Sequence, residues 1–98
     1  MRKLTDKRLA KLDEKIRIYS CMRKFDDKVV VKMSKDLFSE FIAVNHPLVV
    51  YSRDGLQPHK YKGCFLEIVS NQNYVAVAYY NTRTGKEHHI REIEEETT

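Results

Sequence analysis

The sequence predicts an α+β fold: a long basic helix and a short helix packed on a small antiparallel β-barrel. Three observations point to it. Apolar residues recur at helical spacing over residues 6–24. A β-branched triple, Val29-Val30-Val31, interrupts the helical pattern. The second half, from Pro47 to Glu94, reads as four short runs divided by turn signals at close intervals. Evenly spaced short strands of this kind are the mark of small closed sheets.

The first helix starts at Thr5, a residue type that caps helix N-termini, and Asp6 follows in the first turn, where the helix dipole favours a carboxylate. Leu4 and Leu9 stand at the two positions of a hydrophobic staple. Leu9, Leu12, Ile16 and Tyr19 then form one apolar stripe, widened by Ile18, Met22 and Phe25. Lys7, Arg8, Lys11 and Lys15 fall on the opposite, charged face. The stripe predicts either packing on the barrel or a homodimer through Leu9, Leu12, Ile16 and Tyr19. Asp26-Asp27 ends the helix, and the valine triple predicts a short strand. Ser34 is expected to cap a second helix over residues 35–44, with Asp36 in its first turn and Leu37, Phe38, Phe41 and Ile42 on its apolar face. Asn45 and Pro47 terminate it.

The strands follow. Pro47-Leu-Val-Val-Tyr51 precedes the turn pair Asp54-Gly55. A second strand is expected over Lys60 to Val69, a third over Tyr74 to Tyr80, and a fourth after the turn Asn81-Thr-Arg-Thr-Gly85, ending at Ile93. In the second, Cys64, Leu66 and Ile68 alternate with Phe65 and Glu67. In the third, Val75, Val77 and Tyr79 alternate with Ala76, Ala78 and Tyr80. Both strands are partly apolar on both faces, so one face is expected in the barrel and the other under the helices. One domain is predicted, with residues 1–25 as its basic helix and 26–98 as the barrel unit.

The segment Tyr61-Lys-Gly63 with the long bent strand after it resembles SH3-like and Sm-like small barrels. Tyr74-Val-Ala-Val-Ala-Tyr79, followed by His89-Ile-Arg-Glu-Ile93, is similar to the strand pair of WYL domains. Tyr74-Val-Ala stands where those domains carry Trp-Tyr-Leu. The same half resembles YolD-like proteins, which pair a helix with a small barrel. The resemblance implies nucleic-acid, nucleotide or protein binding without catalysis.

Of the chain's 98 residues, 33% are charged, and no apolar run approaches the roughly 18 residues of a membrane span. Met1-Arg-Lys-Leu-Thr-Asp-Lys-Arg lacks the apolar stretch of a signal peptide, so a cytoplasmic protein is expected. The two cysteines, Cys21 and Cys64, show no paired spacing and are expected to be free. The net charge of +4 is uneven. Residues 1–25 hold nine bases and three acids, whereas Glu92 to Glu96 contribute four acids. A basic head of this kind suits phosphate or an acidic protein partner. The acids within the helix and the absence of tryptophan argue against a membrane surface.

Catalytic chemistry is not expected. A Cys64 nucleophile with His59 or His89 as base is conceivable, but Cys64 sits where an alternating strand fills core space. The three glycines form no phosphate-binding loop. His88 and His89 are neighbours on a strand, so their side chains should point to opposite faces. No His or Cys pair has structural-zinc spacing, and neither metal nor cofactor is expected. The stronger pattern is basic residues interleaved with aromatics, because bases stack on rings while Lys and Arg neutralise phosphate. The candidate contacts are Lys7, Lys11, Lys15, Arg53, Lys60, Tyr61, Lys62, Tyr80, Arg83, Lys86 and Arg91. The predicted function is a small regulatory protein that binds nucleic acid weakly and with little sequence preference. The alternative is a protein–protein module, such as a phage or mobile-element inhibitor of a host protein.

Overall fold

The computed structural model describes residues 4–45, 49–51 and 58–94. Helix α1 spans Asp6–Cys21 and is capped as its sequence dictates. Thr5 has extended backbone, and its hydroxyl accepts from the Arg8 amide at 3.1 Å. Leu12, Ile16 and Tyr19 of its stripe are buried, and Leu9 packs partly against them. The stripe therefore belongs to the chain's own core and is not free for a homodimer. The helix ends one turn before residue 24, and the Phe25 ring beyond it is 96% exposed.

Strand β1, Asp27–Ser34, is longer than the valine triple and runs through the middle of the sheet. Helix α2, Lys35–Asn45, follows with no linker. Ser34 does not cap it by the expected route. Its hydroxyl instead accepts from the Tyr74 amide at 3.0 Å, while its own amide donates to the Tyr74 carbonyl. The remaining strands are β2 (Val49–Tyr51), β3 (Pro58–Tyr61), β4 (Cys64–Val69), β5 (Val75–Asn81) and β6 (Lys86–Glu92). The single strand expected over residues 60–69 is thus a hairpin. Lys62 (φ 51°) and Gly63 (φ 79°) form its two-residue turn, both in the left-handed region that a type I′ turn requires.

The sheet runs β2-β3-β4-β1-β5-β6. Strand β1 pairs parallel with β4 and antiparallel with β5, and all other pairings are antiparallel. This sheet is not closed into a barrel. Closure needs the end strands to pair, but β1 separates the β3–β4 hairpin from the β5–β6 hairpin and places β2 and β6 at opposite edges. Both helices cover the same face. Val29, Val31 and Met33 of β1 share one core with Leu12 and Ile16 of α1 and Leu37 and Phe41 of α2. Val30, Ala76 and Ala78 point the other way, onto a face that no described helix covers. There Lys32 pairs with Glu87 and lies 3.9 Å from Glu67.

Arg8 departs most from its expected place. It is 1% exposed, not on the charged face of α1. Its Nε donates to the Ile93 carbonyl at 3.0 Å, and its two terminal nitrogens donate to the Asn73 side chain and carbonyl at 2.6 and 3.1 Å. One guanidinium thus fastens the start of α1 to the β4–β5 turn and to the end of β6. Replacing it strands acceptors away from water, at about 1–3 kcal/mol per buried group. Arg8→Met is therefore expected to lose about 3 kcal/mol in urea unfolding. The exposed neighbour Arg17→Ala should stay within about 0.5 kcal/mol. Equal midpoints for the two variants would contradict the clamp.

Candidate nucleic-acid interface

The turn at Lys62-Gly63 brings β3 alongside β4, so Lys60 lies directly opposite Phe65. Phe65 in turn pairs with Val30 of β1, and Lys28 stands two residues before Val30 on the same face. The Phe65 ring is thereby flanked by two ammonium groups: Lys60 Nζ at 4.8 Å from its centroid and Lys28 Nζ at 4.9 Å. Tyr80 is the direct partner of Lys28 on β5 and is 37% exposed. Lys60, Phe65, Lys28 and Tyr80 form a row across the face that no described helix covers. Beside it opens a cleft of about 400 Å³, bounded by Lys28, Lys60, Phe65, Arg23 and Lys62 and by no carboxylate. Among the described residues, no acid lies within 4.0 Å of either Lys28 or Lys60 Nζ. Two cations held on one ring without a counter-ion form a local field suited to an anion.

The residues proposed from sequence divide sharply. Lys60 and Tyr80 belong to this row. Lys62 borders the cleft but is 3.4 Å from the Asp13 carboxylate. Tyr61 is excluded from stacking, because its ring is 1% exposed and lies edge-on to Phe41, and its hydroxyl donates to Asp13 at 2.9 Å. Burial and the Asp13 carboxylate push that phenol far above its ordinary value. Lys11 and Lys15 line a groove together with Glu14, Glu92 and Glu94, so the helix lysines face the acidic end of β6. Lys7 is exposed at the start of α1, remote in sequence from this row. Arg83 sits 3.7 Å from Asp26, and Lys86 opens β6 from the same hairpin. Arg91 lies opposite Val77 on the helix side of the sheet and acts on Tyr19. Arg53 falls outside the described residues.

Lys28, Arg23 and Phe65 were missed in the sequence. A usable signal existed, since Lys28-Val-Val-Val-Lys32 alternates on a strand and puts Lys28 and Lys32 on the face opposite Val29 and Val31. Both cysteines are free. Cys64 is buried, and burial pushes its thiol above its ordinary value, away from the thiolate a nucleophile needs.

At the same end of β1 but on the opposite face from Lys28, Asp27 is 2% exposed and accepts from Asn81 Nδ2 at 3.1 Å, with His88 Nε2 at 2.9 Å from the same oxygen. The hydrogen bond from His88 is the main cause that holds this carboxyl below its ordinary value. No family model, curated protein or solved structure matches the chain.

Two outcomes follow from these placements. Tyr61→Phe should lose about 1 kcal/mol of stability through its missing hydrogen bond and leave nucleic-acid binding unchanged; a binding defect in the folded variant would restore Tyr61 to the interface. For Asp27, a depressed folded pKa means stability that is complete above the ordinary carboxylate value of about 4 and is lost as pH falls through the lower folded value. Asp27→Asn should therefore flatten the acid limb of a stability–pH curve measured between about pH 2 and 5. An unchanged limb would remove Asp27 from the acid response.

Proposed function

We propose that this is a non-catalytic nucleic-acid-binding protein that takes a single strand across the sheet face opposite the two helices. The observation that carries this reading is the Lys60–Phe65–Lys28–Tyr80 row with its cation-lined cleft. In this arrangement bases stack on the Phe65 and Tyr80 rings, while Lys28, Lys60 and Arg23 neutralise phosphates. Every base has a π-face, so stacking contacts of this kind tolerate sequence, and the few phosphate contacts make the binding weak and salt-dependent. A sheet face with the exposed Tyr80 ring and the half-buried Phe65 ring beneath its two lysines suits unstacked bases better than a duplex, whose bases are already stacked.

A second reading, a protein–protein module, is favoured by one observation. Met22 and Phe25 after α1 are 73% and 96% exposed, and an apolar contact there would be insensitive to salt.

Fluorescence anisotropy of a labelled single-stranded oligonucleotide across a salt series tests the first reading. Affinity should fall with salt, with a log–log slope reduced by about 0.7 for each phosphate contact removed in Lys28→Gln and Lys60→Gln. Phe65→Ala and Tyr80→Ala should each cost about 1–3 kcal/mol of binding. No binding at low salt to single-stranded DNA or RNA would overturn the reading.

A further inference from the structure

We propose that His88 and His89 form a binding site for a late first-row transition-metal ion, held on a bulge of β6 and backed by the Asp27 carboxylate. Adjacent residues of a regular strand point to opposite faces. Here they do not. The β5–β6 register shifts between Val77 and Tyr79, so that His89 and Ile90 together oppose Ala78. His89 takes φ 53°, a left-handed conformation uncommon for a residue with a side chain. The bulge turns both imidazoles to one side. Their ring centroids are 4.8 Å apart and their Nδ1 atoms 2.6 Å apart.

This conformation is held by specific contacts. The Tyr19 hydroxyl donates to the His89 carbonyl. The Tyr79 hydroxyl donates to the Tyr19 carbonyl at 2.7 Å, and its ring stacks on Tyr19 at 4.6 Å. The Tyr79 ring also borders both imidazoles, at 5.5 and 6.3 Å. Bulges and left-handed residues that the surroundings fix in this way concentrate at functional sites.

The two nitrogens are a pair of donors within reach of one ion. Asp27 accepts at His88 Nε2, which leaves Nδ1 as the lone-pair nitrogen. A carboxylate behind a histidine is the usual arrangement behind a metal ligand, since it fixes the tautomer and raises the basicity of the free nitrogen. That nitrogen faces His89 Nδ1. At this distance His89 Nδ1–H donates to the His88 Nδ1 lone pair, and a metal ion takes the place of that proton once it moves to His89 Nε2. Two nitrogens bound to one ion at about 2.0–2.1 Å stand roughly 3 Å apart when the bond angle is near 90°. A small rotation of the exposed His89 ring opens that space.

Among the described residues, no third His, Cys, Asp or Glu joins the pair. The remaining positions fall to water from the adjoining cleft of about 300 Å³, which Ile18, Tyr19, Met22, Lys24, Asp27 and Tyr79 line beside the two histidines. Imidazole donors suit copper, nickel and zinc, and among these copper binds tightest.

Calorimetric titration of the full chain with Cu²⁺ and with Zn²⁺ tests the site. It is carried out in a Cys21→Ser background to remove the exposed thiol. One ion per chain is expected, with copper tighter than zinc and with shifts of both imidazole resonances in NMR spectra of the zinc form. His88→Gln and His89→Asn should each weaken binding at least tenfold, and Asp27→Asn by about 10–100-fold. A double His46→Gln/His59→Gln variant should bind as the parent does. Asn tolerates the left-handed conformation at position 89, so His89→Asn stays informative if His88→Gln unfolds. Binding unchanged in a folded His89→Asn, or binding abolished by the His46/His59 variant, would overturn the proposal.

Discussion

Strand β1 has a neighbour on each edge and apolar side chains on both faces, and the rest of the molecule is arranged around that fact. Its parallel partner β4 forces the chain to leave through α2 and return through the β2–β3 hairpin. Its antiparallel partner β5 carries the β5–β6 hairpin to the far side. Both helices settle on the face of Val29, Val31 and Met33, because the stripes of α1 and α2 need a shared apolar floor. The opposite face carries Val30, Ala76 and Ala78, the Phe65 and Tyr80 rings, and charged side chains. Ala76 and Ala78 are small enough to be fully screened by their neighbours, and Lys32 shields them while pairing with Glu67 and Glu87.

This one-sided cover separates the charges into two populations. On the helix side they are spent on structure. Arg8 is buried as a clamp, Lys62 pairs with Asp13, and Lys11 and Lys15 face Glu92 and Glu94. On the opposite side Lys32 is paired with Glu67 and Glu87, whereas Lys28 and Lys60 rest on Phe65 with no described carboxylate within 4.0 Å of either ammonium. Net charge along the sequence pointed to α1 as the phosphate-binding element. In the function we propose, that role falls to the sheet, because a cation beside a counter-ion adds little to an external field.

Much of the fold was legible from local pattern. The cap at Thr5, the stripe Leu12-Ile16-Tyr19 and the alternation in β4 and β5 rest on interactions within a few residues or on a fixed period. What was not legible depends on partners distant in sequence. Arg8 reads as one more basic residue until Asn73 and Ile93 arrive beside it. Tyr61 reads as an exposed aromatic until Asp13 and Phe41 enclose it. The Lys62-Gly63 turn was present as a glycine signal but was absorbed into one long strand, because Tyr61 and Cys64 on either side are both strand formers. The bulge at His89 has no local signature, for only the offset between Val77 and Tyr79 creates it. The candidate site was half legible. Lys60 and Tyr80 stood out by composition, whereas Phe65 and Lys28 gain meaning only through the pairing of β3, β4, β1 and β5.

The central claim, that the sheet face opposite the two helices and not the basic helix meets nucleic acid, is tested most directly by NMR mapping with a short single-stranded oligonucleotide. Amide and ring resonances of Lys28, Lys60, Phe65 and Tyr80 are predicted to shift together along one saturating curve, while those of Lys7, Lys11 and Lys15 stay in place. Shifts confined to α1, with the sheet face unmoved, would contradict the account.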